Sequence, residues 1–321
     1  MSQTMQAAVI TAPQQLEIRE VARPEAGEGE VLIQLEGCGV CASNVPPWEG
    51  REWFSYPMAP GQLGHEGWGH IAALGAGVHG LEEGQRVAFL SNGSYAQFDK
   101  TGADSVVPLP ESLEGAPFPG EPLGCALNIF HRSEIKRGDT VAIVGIGFLG
   151  ALLVQLAKAR GARVLAISRR EFSLGFAEDF GAAELIPMDD HWRIIEHVKG
   201  LTNEQFCDVV IECVGKQWPL DLSAELCRER GRLVVAGYHQ DGPRQINMQL
   251  WNWRGLDVIN AHERELAVYT RGIALAANEV ADGHLNPAPL YTDTFALDEL
   301  AQALEKTRTR PDGFMKALMR M

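Results

Sequence analysis

Two short segments in the first quarter of the chain hold polar residues of kinds that bind metals. One is Gly37-Cys38-Gly39-Val40-Cys41-Ala42-Ser43-Asn44, the other Gly64-His65-Glu66-Gly67-Trp68-Gly69. Neither is a contiguous metal motif of paired cysteines. A catalytic zinc needs about three protein ligands of cysteine, histidine or carboxylate type and one open position. Cys41, His65 and one acidic residue would supply that set. On residue types alone, a buried cysteine and a core histidine are the more ordinary reading of these segments. Cys38 and Cys125 read better as small buried thiols than as spare ligands.

A second chemistry lies further along, in Asp139 to Arg170. Gly145, Gly147 and Gly150 have G-x-G-x-x-G spacing. The spacing suits a dinucleotide site: the first glycine permits a tight turn, the second lets backbone approach the pyrophosphate, and the third lets helix pack on strand. Phe148 and Leu149 would open the helix whose positive N-terminus faces the pyrophosphate. An NAD site usually carries Asp or Glu at the end of the next strand, roughly 20 residues past the glycines. Here Ser168, Arg169 and Arg170 stand there. A hydroxyl and two guanidinium groups suit a 2′-phosphate, which a carboxylate would repel, so NADP(H) is expected.

The elements around these residues agree with such a site. Thr140 to Val144 is a short apolar, β-branched run, the pattern of a strand buried on both faces, and Arg163 to Ile167 is another. Between them Leu149, Leu152, Leu153 and Leu156 stripe one side of a helix. Later strands are expected at Val209–Cys213 and Leu233–Ala236, with Gly215 and Gly237 just past their ends. Ligands of open parallel sheets bind outside those ends, so Val214, Gly215, Gly237 and Tyr238 are candidate nicotinamide neighbours, or simple turn residues.

Residues 1 to about 110 read instead as many short strands: Gln6–Ile10, Leu16–Glu20, Glu30–Cys38, Gly67–Leu74, Arg86–Phe89 and Tyr95–Asp99. Proline and glycine punctuate them, the pattern of a β-rich, barrel-like domain. The expected division is 1–123 for the β-rich domain, 124–257 for a doubly wound α/β domain, and 258–321 for a tail returning to complete the first. After Gly255, Leu256–Ala261 and Met315–Met319 read as strands, Glu265–Ala281 and Asp298–Glu305 as helices.

Composition bounds the partners. The chain has 321 residues, 45% of them hydrophobic and 22% charged, enough for two domains with their own cores. A formal charge of −14 argues against nucleic acid or an anionic membrane surface as partner. No segment has the apolar length to span a bilayer, and the first residues lack the layout of a signal peptide. The sparse cysteines suit reduced thiols, so a cytoplasmic location is expected.

Taken together, the segments resemble the zinc-dependent medium-chain dehydrogenase/reductase (alcohol dehydrogenase) family along essentially the whole chain. GVCASN is similar to the family's G-V-C-x-S-D, GHEGWG to its G-H-E-x-x-G, and GSYAQ (Gly93–Gln97) to its G-x-Y-A-E. Glu121-Pro122-Leu123 matches its E-P-L, and GIGFLG follows at the expected distance. The pattern is most like the sorbitol and polyol branch, with Glu121 in place of a cysteine and Trp48 soon after the first ligand. The resemblance implies a GroES-like catalytic domain and a Rossmann domain. It also implies that Cys41 and His65 bind the catalytic zinc, with Glu66 as a third or alternating ligand. Glu121 would ligate or hold the zinc-bound water, and Ser43 would begin a proton relay beside the substrate oxygen. A homodimer or homotetramer is implied as well.

Three departures stand out. The family's aspartate after the relay serine is Asn44, so orientation by charge is lost there. The relay histidine of some members falls at Pro46. The lobe that binds a structural zinc is missing, since only Leu90, Ser91 and Asn92 separate Phe89 from Gly93; one zinc per chain is expected. In Pro46–Pro57, Trp48, Trp53 and Phe54 could face the C–H surfaces of a sugar and Arg51 its hydroxyls or an anionic group. The same aromatics could pack beneath a long loop. The expected reaction is hydride transfer between NADP(H) and a secondary alcohol, a polyol or sugar. A zinc-free NADPH-dependent quinone or enoyl reductase and a non-catalytic NADPH-binding sensor are the rival readings.

Overall fold

The computed structural model describes residues 3–321. Strands β1 (Thr4–Ala12), β2 (Gln15–Ala22) and β3 (Glu30–Gly39) come first, then helix α1 (Val45–Glu49). They are followed by β4 (Gly67–Leu74), β5 (Arg86–Phe89), β6 (Phe98–Gly102) and β7 (Val106–Pro108). Helix α2 (Gly120–Ser133) leads into alternating elements: β8 (Thr140–Val144), α3 (Phe148–Ala159), β9 (Arg163–Ser168), α4 (Glu171–Asp179), β10 (Glu184–Pro187) and α5 (His191–Leu201). The alternation continues through β11 (Cys207–Glu212), α6 (Gln217–Leu226), β12 (Cys227–Val235), α7 (Met248–Arg254) and β13 (Asp257–Asn260). The chain closes with α8 (Leu266–Ala281), β14 (Tyr291–Ala296), α9 (Leu300–Thr309) and β15 (Lys316–Arg320).

These elements form two compact units. One comprises the residues up to Gly124, Glu265–Gly283 and Pro287–Met321; the other is Cys125–Arg264 with His284–Asn286. The first unit is β-rich. A seven-stranded sheet runs β14-β15-β3-β4-β5-β7, with β6 also paired to β3, beside the β1-β2 hairpin. One of its cores gathers Ile10, Cys38, Trp48, Tyr95, Leu300, Leu304 and Met319, and another Val31, Ile33, Ile71, Val87 and Phe89. The second unit is a wholly parallel six-stranded sheet in the order β10-β9-β8-β11-β12-β13. That is the doubly wound arrangement, and the order reverses between β8 and β11, where open α/β sheets bind ligands. Val141, Ala142, Ile143 and Val144 are fully buried in this sheet, as an apolar central strand must be. Each such buried aliphatic side chain contributes on the order of 1.5–3 kcal/mol. The fold class is therefore the one expected from the sequence.

Local differences have physical causes. The strand expected at Tyr95–Asp99 begins at Phe98, because Ser94 and Tyr95 turn inward and donate their amides to Gly64 and Gly61. β14, in the mixed stretch Tyr291–Ala296, is held by parallel pairing to β15, a long-range contact without local signature. The strand Asp257–Asn260 is the edge of the parallel sheet, paired to β12.

Candidate active site

β3 and β4 are antiparallel neighbours, with Cys38 opposite Gly67. The chain leaving β3 therefore meets the chain entering β4. Cys41, His65 and Glu66 come together so that one ligand atom from each lies within 4.8 Å of the others. His65 Nδ1 is 2.8 Å from the Leu63 carbonyl, which can only accept, so Nδ1 carries a proton and Nε2 is the nitrogen turned to Cys41. Burial works against charge on this ring. The hydrogen bond to Cys41 and the negative charges of Cys41, Glu121 and Glu66 outweigh it and lift its pKa to about 10. Groups that draw in a proton so strongly would equally favour a cation.

Glu66 is fully buried, and its room depends on Gly39. A Cβ at position 39 would stand 1.8 Å from Glu66 Oε2. Lys316, on β15, donates to Glu66 Oε1 at 2.7 Å and to the Val40 carbonyl at 3.1 Å. Its Nζ also lies 2.5 Å from Oε2, yet Oε2 accepts no well-directed hydrogen bond. A buried carboxylate oxygen with a spare lone pair beside a cysteine and a histidine fits a zinc-class cation. Burial disfavours the charge on Lys316, but Glu66, Cys41 and Glu121 outweigh that and hold its pKa above the usual lysine value. Glu121, in the first turn of α2, accepts from the Tyr269 hydroxyl on α8. It acts electrostatically on His65 and lies outside the three-atom group.

Asn44 does more than fill the place of an aspartate. Its Oδ1 accepts from the Cys41 amide at 3.2 Å and from the Tyr95 hydroxyl at 2.8 Å. Its Nδ2 donates to the Leu63 carbonyl at 3.1 Å, the same oxygen that meets His65. A carboxylate could not make that donation. The loss of charge-based orientation expected at this position is thus offset by an amide that ties the Cys41 and His65 loops together. Leu63 has a positive φ of 81°, a conformation costly for a side chain of its size, and these two hydrogen bonds help hold it.

The remaining expected residues of this unit divide. Ser43 sits half-buried in the turn after Cys41. Trp48 is 3% exposed and belongs to the core, so its ring supports the loop and does not face a sugar. Phe54 packs on the same core, whereas Trp53 is 61% exposed and leans on Phe54. Arg51 is exposed and paired with Glu49 at 3.3 Å. Cys38 is buried, and burial pushes its thiol well above the usual range. Glu36, His70 and Glu114 form another group of metal-binding types, in which Arg86 bonds Glu36 Oε2 at 2.7 and 2.9 Å and His70 lies 3.2 Å from Oε1.

In the second unit the expected cofactor residues all lie at the C-terminal edge of the parallel sheet. Gly145 has φ 101°, and a side chain there would strike Val214 at 2.4 Å. A Cβ on Gly150 would sit 2.1 Å from the Gly145 carbonyl, whereas the space around Gly147 is open. Gly147 is also the N-cap of α3, and no side-chain cap hydrogen bond closes the start of that helix, which Phe148 and Leu149 open. Ser168 ends β9, 6% exposed, with the Arg170 amide 3.3 Å from its Oγ. Arg169 is exposed, and Arg170 lies 5.7 Å over the Phe172 ring. Val214 and Gly215 both donate their amides at 2.7 Å to the buried carboxylate of Glu212. Gly237 packs against Gly215, and Tyr238 is exposed with its ring over His262.

Sequence reasoning did not single out Lys316, Tyr269, Tyr95, Glu212, His239 or Arg244. A signal existed for two of them. Lys316 is the one charge inside the apolar run Phe314–Met319, and Glu212 ends the apolar run Val209–Ile211.

The sequence matches the family described as "Alcohol dehydrogenase GroES-like domain" over residues 27–125 and that described as "Zinc-binding dehydrogenase" over residues 149–277. It is 27% identical to a sorbitol dehydrogenase of Bacillus subtilis (strain 168), over 99% of this chain and 97% of that protein. It is 28% identical to a sorbitol dehydrogenase of Rattus norvegicus, over 94% and 92%. A structure described as a zinc-binding dehydrogenase of Sinorhizobium meliloti 1021 bound to NADP superposes with a TM-score of 0.87 at 25% identity, covering 100% of both chains. The two matched regions, the metal-type triad and the glycine-rich turn at the sheet's switch point agree on one assignment. The chain belongs to the zinc-dependent medium-chain dehydrogenase/reductase family, the alcohol dehydrogenases.

Proposed function

We propose that the protein is a zinc-dependent, NADP(H)-linked oxidoreductase that interconverts a secondary alcohol, a polyol or sugar, with its carbonyl. The observation that carries this reading is the convergence of Cys41, His65 and the buried Glu66 within 4.8 Å, with one Glu66 oxygen free of a directed hydrogen bond. The sorbitol dehydrogenase relatives support the substrate class, and the NADP-bound neighbour supports the cofactor.

Cys41, His65 and Glu66 would hold the metal. When bound, zinc acts as a Lewis acid on the substrate oxygen and the nicotinamide takes hydride from the adjoining carbon. The chain's own groups would do the rest. Lys316 restrains Glu66, which makes that carboxylate an exchangeable ligand, and Tyr269 orients Glu121 toward the same site. Ser43 would accept the alcohol proton and pass it to water, since Pro46 offers no side chain to carry it. Amides at the start of α3 would bind the pyrophosphate, and Ser168, Arg169 and Arg170 the 2′-phosphate. Trp53 and Arg51 are the exposed groups available to a sugar. One zinc per chain, a cytoplasmic setting and a homodimer or homotetramer complete the proposal.

The test is turnover across a panel of polyols and sugars, with NADP and with NAD, before and after chelation. Oxidation favouring NADP, lost on chelation and restored by zinc, supports the reading. Undiminished turnover in metal-free protein would replace it with the zinc-free reductase.

A further inference from the structure

The second unit contains a hydrogen-bonded chain that reaches from its interior to its surface and crosses two cofactor-side loops. It starts at Glu212, the last residue of β11, whose side chain is fully buried. Oε1 accepts the amides of Val214 and Gly215, and Oε2 lies 3.0 Å from His239 Nε2. The backbone carbonyl of Glu212 takes the amides of Ala236 and Gly237 at 2.9 and 2.8 Å. One residue therefore gathers the loop after β11 and the loop after β12.

His239 passes the connection outward. Arg244 Nε, which can only donate, stands 2.9 Å from His239 Nδ1, so Nδ1 is the acceptor and Nε2 carries the proton given to Glu212. These two contacts fix the orientation of the imidazole. Arg244 also donates from Nη2 to the Gly215 carbonyl at 2.9 Å and pairs with Asp241, which pairs in turn with Lys216. Hydrogen bonds from Lys216 and Arg244 hold the Asp241 carboxyl well below the usual carboxylate range. The guanidinium of Arg244 thus spans both loops, bonded to Gly215 on one and to His239 and Asp241 on the other. The contact is close: a Cβ on Gly237 would stand 2.2 Å from the Gly215 amide.

Resting on the dinucleotide reading given above, we propose that Arg244 is a positioning residue for the cofactor: through His239 and Glu212 it locks residues 237–244 against Gly215. It acts by preforming the wall on which the dinucleotide rests, without bonding the dinucleotide itself. Residues that preorganise a wall lower the ordering cost of binding, and their loss is felt by every ligand that uses the wall. A lysine cannot replace the fork, since one ammonium does not reach acceptors in the fixed geometry of a guanidinium.

The test is NADPH and NADH binding to full-length protein, followed by nicotinamide fluorescence, with zinc content measured alongside. Arg244→Ala is expected to weaken both dinucleotides by a similar factor, roughly tenfold. Arg244→Lys is expected not to restore either, and zinc per chain should stay as in the wild type. Asp241→Asn, a milder surface change, should weaken both by a smaller factor in the same direction. Selective loss of NADPH that Arg244→Lys restores would mean Arg244 bonds the phosphate directly and would overturn the proposal. Tighter NADPH binding in Asp241→Asn would overturn it too, since removing a negative charge helps only where charge acts on the ligand directly. Unchanged affinities in Arg244→Ala would show that the strut does not matter for binding. A wild-type protein that binds neither dinucleotide would instead remove the cofactor reading itself, and this proposal with it.

Discussion

The Lys316 ammonium lies 2.5 Å from the Glu66 carboxylate in a place where the two side chains are 6% and 0% exposed. Their positions in the chain are far apart, and β15 brings them together by pairing with β3. Removing one partner of such a pair leaves an uncompensated buried charge, which costs about 3–5 kcal/mol. Lys316→Met is therefore expected to destabilise the metal-free protein by about that amount in urea unfolding. The double variant Glu66→Gln/Lys316→Met should lose less than the two single variants added together. Additive losses would show that the two side chains are not coupled.

Asn44 makes a different prediction. Asn44→Asp would place a carboxylate oxygen against the Leu63 carbonyl, which now accepts from the amide. A lost buried hydrogen bond with an unsatisfied partner costs about 1–3 kcal/mol. The variant should unfold at lower urea concentration and release zinc to a chelator faster than the wild type. Equal stability and equal zinc retention would mean the Cys41 and His65 loops are tied by other contacts.

At the end of β9, Ser168→Asp combined with Arg169→Ala tests the 2′-phosphate assignment. The added carboxylate would repel the phosphate and accept from a ribose hydroxyl. The ratio of kcat/KM for NADP over NAD should fall by roughly tenfold or more, as the loss of a charge-assisted hydrogen bond gives. An unchanged ratio would place the phosphate elsewhere.

Cys207 gives a pH dependence away from the site. Burial is the main cause, with Asp208 adding to it, that pushes its thiol up to about 12 from an ordinary 9.0. The native state keeps this proton where the unfolded chain has lost it, so stability is full below pH 9 and falls as pH rises toward 12. At pH 10.5 the loss from this group is about 2 kcal/mol relative to pH 8. Unfolding of wild type and Cys207→Ala at the two values should differ by that margin. Identical pH dependence would show the thiol is not protected.

Much of this was legible in sequence, and the boundary of legibility is physical. The β8-turn-α3-β9 unit is local, so the glycine spacing, the apolar strand and the leucine stripe each signal it within one window. Cys41 and His65 stand out because their residue types are scarce and flank strong glycine punctuation. Lys316 and Tyr269 act through contacts between elements distant in the chain, and Arg244 reaches across to the Gly215 carbonyl, so nothing near them announces those partners. Trp48 shows the converse: an aromatic soon after Cys41 looks like a substrate contact until the core beneath α1 is seen to need it.

The central claim is that Cys41, His65 and Glu66 hold a single catalytic zinc. The most direct measurement is zinc per chain by elemental analysis, on wild type and Cys41→Ser purified without chelator or added metal. The account predicts about one zinc in the wild type and almost none in the variant, with NADPH binding retained in both. Folded, NADPH-binding wild-type protein without zinc, or a Cys41→Ser variant that keeps its metal, would contradict it.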